Sequence, residues 1–76
     1  MLSTALAPKV RVNSISPGGI YRKQSRKFVK RYLDKTPLLR MGKEQDVANA
    51  VIFFSSDLSN YITGQNLIVD GGYSLT

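Results

Sequence analysis

Few residues in this 76-residue chain are equipped for chemistry, and they fall in three places. The first is Pro17-Gly18-Gly19-Ile20. Glycine lets a backbone take positive φ or come close to another group. The second is the basic run Arg22, Lys23, Arg26, Lys27, Lys30 and Arg31, which permits contact with phosphate-rich partners. The third is Asp70-Gly71-Gly72. A lone Asp without a partner acid is poorly suited to acid–base work, and Asp70 is expected to tie down the Gly71-Gly72 turn. Cys and His are both absent. That excludes disulfides and removes the usual nitrogen and sulfur ligands of a zinc site, so no metal is expected. Taken alone, Pro17-Gly18-Gly19 is a turn that ends a strand. The basic run is a solvated helix face, and the aromatics that could serve a nucleic acid, Phe28 and Tyr32, belong to the opposite face. A nucleic-acid partner is therefore not expected.

These groups need elements to hold them. Leu2 to Ala7 reads as the last turns of a helix stopped by Pro8. Val10 to Ser16 alternates and is β-branched at Val10, Val12 and Ile15, which predicts a strand closed by Pro17-Gly18-Gly19. Arg22 to Lys35 has Phe28, Val29, Tyr32 and Leu33 at helical spacing, and Thr36-Pro37 breaks the pattern. Leu38 to Gly42 is a connector. A second helix runs from about Lys43 to Ser55, with Glu44 and Asp46 in its first turn. Val47, Ala48, Ala50, Val51, Ile52, Phe53 and Phe54 cover almost its whole circumference, so it is expected to be buried on nearly every side, as core or subunit interface. Ser55 to Gln65 is turn-rich, with a Thr63-Gly64 corner, and Asn66 to Val69 is a short strand before Asp70-Gly71-Gly72. The order strand, helix, helix, strand predicts a parallel pair. Parallel strands need cover on both faces. Two strands and these helices cannot cover each other, so parts of the sheet are expected to come from elsewhere.

Size points the same way. A domain this short buries a small share of its surface, and here neither disulfide nor zinc can staple it. Met1 to Ala7 has no basic start and meets Pro8 too soon for a signal peptide. Val47 to Phe54, interrupted by Asn49, is far too short for a membrane span, so no membrane contact is expected. The formal net charge is +6 and the apolar content 42%. Absence of Cys is compatible with a cytoplasmic location, which is the expectation here.

Val10-Arg11-Val12-Asn13-Ser14-Ile15-Ser16-Pro17-Gly18-Gly19-Ile20 resembles the sixth strand and following loop of the short-chain dehydrogenase/reductase family. Arg40-Met41-Gly42, Asp46-Val47-Ala48 and Ser55-Ser56-Asp57 resemble its penultimate helix and flanks. Tyr61-Ile62-Thr63-Gly64-Gln65 and Val69-Asp70-Gly71-Gly72 resemble its last strand and the turns around it. These segments span the chain almost end to end in the family's order. The resemblance, with a 3-oxoacyl-ACP-reductase-like branch as one candidate, implies an α/β fold. Residues 1–76 would be a single partial domain, the C-terminal part of a Rossmann-type doubly wound parallel sheet, incomplete as a stand-alone unit. It also implies one wall of a cofactor site, in which Pro17, Gly18 and Gly19 lie beside a nicotinamide and the Ile20 backbone bonds its carboxamide. A carboxamide needs a donor and an acceptor together, and a backbone residue in an open loop supplies both. Where the family often has Thr, two residues after that Ile, this chain has Arg22, which loses a hydroxyl contact and could reach a phosphate instead.

The family's glycine-rich pyrophosphate loop has no counterpart here. Its catalytic Tyr-x-x-x-Lys is expected upstream of a segment like Leu2 to Pro8. No Tyr of this sequence has a Lys four positions on: Tyr21 meets Ser25, Tyr32 meets Thr36, Tyr61 meets Gln65, and Tyr73 runs off the end. No catalytic residue is therefore assigned. The expected function is that of the C-terminal segment of an NAD(P)-dependent oxidoreductase acting on a carbonyl/alcohol pair. NAD or NADP would serve the intact parent, and this chain alone would hold neither tightly. The alternative is a non-catalytic oligomerisation module or relic of such an enzyme; a small basic nucleic-acid binder ranks third. The expected partner is the missing N-terminal part of the fold or a second copy, met through Val47, Val51, Phe54 and Asn66 to Val69, giving a homo-oligomer.

Overall fold

A computed structural model describes all 76 residues. Helix α1 (Leu2–Leu6) leads to strand β1 (Ser14–Pro17), helices α2 (Arg26–Asp34) and α3 (Glu44–Ser55), a 3-10 turn at Asp57–Ser59, strand β2 (Asn66–Val69) and a closing 3-10 turn at Tyr73–Leu75. The strands pair in parallel, with Ser14 opposite Asn66 and Pro17 opposite Val69. The α/β class and the parallel pair are as the sequence predicts.

Strand β1 is shorter than the Val10–Ser16 run. Before Ser14 one backbone bond remains, from Gly64 N–H to Val12 O at 2.7 Å, and side chains make the others: the Val12 N–H donates to Thr63 Oγ1 at 3.0 Å, and Asn13 exchanges bonds with Ile62 O and the Gln65 N–H, both at 3.0 Å. The regular backbone ladder runs from the bond of Ser14 N–H to Gln65 O through that of Gly18 N–H to Val69 O, each 2.9 Å. Arg11 locks this end. Its guanidinium donates to the carbonyls of Ser59 (2.8 Å), Phe54 (3.1 Å) and Ile62 (3.2 Å), joining the end of α3 to the turn before β2.

Helix α2 begins at Arg26 rather than Arg22. Lys23 takes a positive φ of 62°, and the Gln24 side chain folds back on Arg22 N–H and Ile20 O. Ser25 then caps the helix by accepting the Phe28 N–H. At the other end Thr36 is buried and donates its hydroxyl to Tyr32 O, and Pro37 stops the helix.

Helix α3 matches its predicted span, but it is not buried on every side. Ala50 faces the sheet at 8% exposure, whereas Val51, Ile52 and Phe53 stand open at 49%, 62% and 37%. The two strands within the chain cover one face of this apolar helix, and nothing in the chain reaches the other. The whole molecule shows the same shortage. Only five residues are buried, and the radius of gyration is 15.2 Å, against about 11 Å for a compact domain of this length. The accessible surface is 6079 Å², against about 4,600 Å² for a compact monomer of this mass. No helix is long and apolar enough to cross a membrane.

Candidate functional site

The Pro17-Gly18-Gly19-Ile20 loop leaves the C-terminal end of β1 and is held from both sides. Gly18 and Gly19 are glycines for want of space, not for positive φ, which occurs instead at Gly64, Gly71 and Gly72. A Cβ on Gly18 would lie 2.5 Å from Asp70 Cβ and 2.9 Å from Tyr32 Oη; one on Gly19 would lie 2.7 Å from the Tyr32 ring. Of the two uses that glycine allowed, close approach is the one realised.

Ile20 forms an isolated parallel bridge with Gly42. The Gly42 N–H donates to Gly19 O at 2.8 Å, and the Tyr21 N–H donates to Gly42 O at 3.0 Å. Backbone groups alternate direction along an extended segment, so the N–H and C=O of Ile20 itself face away from Gly42. The carbonyl accepts the Gln24 side chain at 2.9 Å and keeps a second lone pair. The N–H donates to no protein atom. Half-buried Ile20 thus presents a donor and an acceptor side by side.

The predicted residues are not gathered into one pocket. Gly18 and Gly19 line a cleft of about 550 Å³ with Phe28, Arg31, Tyr32 and Tyr73. Ile20 lines a second, of about 250 Å³, with Arg40, Asp46 and Asp70. Pro17 is exposed at the rim of the sheet, and Arg22 is exposed with no side-chain partner.

Two carboxylates frame the second cleft. Asp70 accepts the N–H groups of Gly72 and Ser74, each at 2.9 Å, which fixes the turn where Gly71 and Gly72 take φ of 64° and 93°. Those bonds, Ser74 first, hold its carboxyl below the usual carboxylate range. The expected role of Asp70 as a turn anchor is met. Asp46 receives both guanidinium nitrogens of Arg40 at 2.8 and 3.0 Å and the Lys43 N–H at 2.8 Å. The Arg40 bond, with the α3 N-terminus behind it, brings its pKa down to about 2. Both acids are tied into structure.

Tyr32 is the residue whose role the sequence does not disclose. Its helical spacing marks a core face, yet its Oη accepts the Gly19 N–H and its ring stacks on Tyr73 with centroids 4.5 Å apart. The signal was the crowding potential of two adjacent glycines, which says that something packs there without naming it.

Residues 1–74 match the family model described as enoyl-(acyl carrier protein) reductase. The chain is 41% identical over 71 residues to the 3-oxoacyl-[acyl-carrier-protein] reductase FabG of Buchnera aphidicola, covering 88% of this chain and 29% of that relative. It is 38% identical to galactitol 2-dehydrogenase (L-tagatose-forming) of Cereibacter sphaeroides, covering 87% of this chain and 28% of the relative. Among solved structures, the short-chain dehydrogenase of Leptospira borgpetersenii with bound NAD+ superposes with a TM-score of 0.91 at 51% identity, over 96% of this chain and 29% of the other. The chain therefore spans less than a third of the length of these relatives. With the family model matched over nearly its full length and the sheet, loop and turns in matching order, the chain belongs to the short-chain dehydrogenase/reductase family.

Proposed function

We propose that this chain forms the nicotinamide-facing wall of an NAD(P)-dependent oxidoreductase acting on a carbonyl/alcohol pair. The observation that carries the reading is the outward N–H of Ile20 beside its own carbonyl, a pair that matches the acceptor and donor of a carboxamide. Gly18 and Gly19 let the loop pack directly against Asp70 and Tyr32, which fixes where Ile20 stands, and Tyr32 holds the loop through the Gly19 N–H. When bound, the cofactor supplies or accepts hydride; the residues of this chain orient its ring. The glycine-rich pyrophosphate loop and the Tyr-x-x-x-Lys pair would come from chain outside these 76 residues. By itself the chain would then show no NAD(P)-dependent turnover, and Arg22, at the end of the loop, would meet a phosphate only in the complete site.

A second reading is an assembly module without catalysis. The open face of α3 at Val51, Ile52 and Phe53 favours it, as does the accessible surface in excess of a compact monomer. A second copy or the remainder of a parent fold would cover this face together with β2. In either reading Val47 and Phe54 stay half-buried within the chain and contribute only their outer edges.

Grafting separates the two. The 76 residues replace the matching segment of the Leptospira dehydrogenase, and NAD+ affinity is measured by calorimetry. The first reading expects a folded graft that binds NAD+ within about tenfold of the parent, a change of about 1.4 kcal/mol. A folded oligomeric graft that no longer binds NAD+ would refute it and leave the module.

A further inference from the structure

The formal excess of +6 is concentrated in one place. Residues 22–35 hold seven of the eleven Lys and Arg and one of the five acids, so this segment alone accounts for it. The one ion pair in the protein is Arg40–Asp46, which leaves all seven cations without a carboxylate. Arg31 and Lys35 differ from the rest in where they lie. With Phe28 and Tyr32 they form a stripe at i, i+3, i+4 and i+7 along one side of α2 and its cap. That stripe lines the 550 Å³ cleft whose other side is Gly18, Gly19 and Tyr73.

The cleft has two kinds of surface. Phe28, Tyr32 and Tyr73 make an aromatic wall, with ring centroids 6.4 and 4.5 Å apart along the row. Arg31 and Lys35 make a cationic edge. Like charges one turn apart repel, and Asp34, the acid at the same cleft, is within ion-pair distance of neither. Tyr32 accepts the Gly19 N–H, while its own O–H finds no acceptor in the protein. Three donors thus border a space with an apolar side, and none of them is paired with its one acid, Asp34.

We propose that this cleft is a subsite for a carboxylate-bearing ligand with an apolar or aromatic body. The body lies against Phe28, Tyr32 and Tyr73, and the carboxylate sits between Arg31 and Lys35. Arg31 offers the planar fork that fits a carboxylate, and Lys35 adds a point charge. With Asp34 counted, the cleft carries one net positive charge, which suits a carboxylate monoanion better than a phosphate dianion. This rests on the proposed function: the cleft shares Gly18 and Gly19 with the nicotinamide wall, so the ligand is the acidic carbonyl or alcohol substrate of that reaction.

Phenylpyruvate and its uncharged counterpart phenylacetone serve as probes. The full chain is titrated with each while the ring resonances of Tyr32 and Tyr73 and the amide of Ile20 are followed by NMR. Phenylpyruvate is expected to shift both rings saturably and to bind about tenfold more tightly than phenylacetone, a preference that fades with added salt. Arg31→Gln and Lys35→Gln should each erode that preference without weakening phenylacetone, whereas Lys23→Gln with Lys27→Gln, whose side chains lie outside the cleft, should keep it. Equal affinity for the two probes overturns the proposal, as does a preference that survives loss of both Arg31 and Lys35. A separate titration with nicotinamide mononucleotide reads Ile20. If it shifts Ile20 while phenylpyruvate leaves the tyrosines unmoved, the subsite is wrong and the cofactor wall stands. If phenylpyruvate binds as expected and nicotinamide mononucleotide leaves Ile20 unmoved, the site binds acids but not as part of this oxidoreductase.

Discussion

Replacing Ile52 with aspartate tests whether the open face of α3 is an association surface. Ile52 lies two positions from buried Ala50, about 200° around the helix, so it points directly away from the sheet. At 62% exposure it contributes little to folding within the chain. Burying an isoleucine side chain is worth about 1.5–3 kcal/mol, so the exposed part leaves about 1–2 kcal/mol for each copy to gain. A two-fold contact uses the same residue twice, giving about 3 kcal/mol, or roughly a hundredfold in dissociation constant. Aspartate forfeits that and adds an unpaired carboxylate to an apolar contact. In a monomer the same change costs only a few tenths of a kcal/mol in helix propensity. Sedimentation at tens of micromolar is the assay, with wild type expected as a dimer or larger and Ile52→Asp as a folded monomer. Phe54→Asp is expected to unfold the chain, because Phe54 is half-buried and an unpaired carboxylate would replace its ring. Arg26→Asp, on the exposed face of α2, should associate as wild type does. A wild-type chain that sediments as a monomer and melts cooperatively refutes the reasoning.

Two further outcomes follow from the geometry of the site. Gly18→Ala would place a Cβ 2.5 Å from Asp70 Cβ, and such overpacking costs about 1–3 kcal/mol, so its thermal midpoint should fall clearly below that of wild type; an unchanged melt contradicts the packing account. Asp46 has a folded pKa near 2, below its unfolded value of about 3.9. Its pairing with Arg40 and Lys43 therefore stabilises the fold fully above pH 4 and is lost as pH falls from about 4 to about 2. Asp46→Asn should flatten that acid limb in a pH series of melts, and an identical limb in both proteins would remove Asp46 as its cause.

Period and turn chemistry made much of the fold legible. β2 and α3 fall where alternation, the acidic first turn and the paired glycines put them, because those signals are local. The strand at Val10 and the helix at Arg22 were overextended for one reason: side chains took over the backbone's bonds. Asn13 and Thr63 took all but one of the bonds before Ser14, and Gln24 with Ser25 ended the loop before Arg26. The all-round apolar character of α3 predicted burial, and the chain has too few strands to provide it. Within the site, the loop was legible from Pro17-Gly18-Gly19, but its division between two clefts was not. That division depends on Tyr32 arriving from α2 to hold Gly19, a contact across thirteen residues that no periodicity encodes. The Arg11 latch, which reaches carbonyls more than forty residues away, was hidden for the same reason.

The central claim is that Ile20 presents an unbonded N–H, beside a carbonyl with one lone pair left, to a nicotinamide carboxamide. Titrating the chain with nicotinamide mononucleotide, with the amide of Ile20 followed by NMR, tests it most directly. A saturable downfield shift of that amide is expected, with a dissociation constant in the millimolar range or weaker, where about 4 kcal/mol is realised. The amides of Gly42 and Tyr21, already bonded across the bridge, are expected to stay in place. An Ile20 amide unmoved at saturating ligand, or shifts spread evenly over the chain, would contradict it.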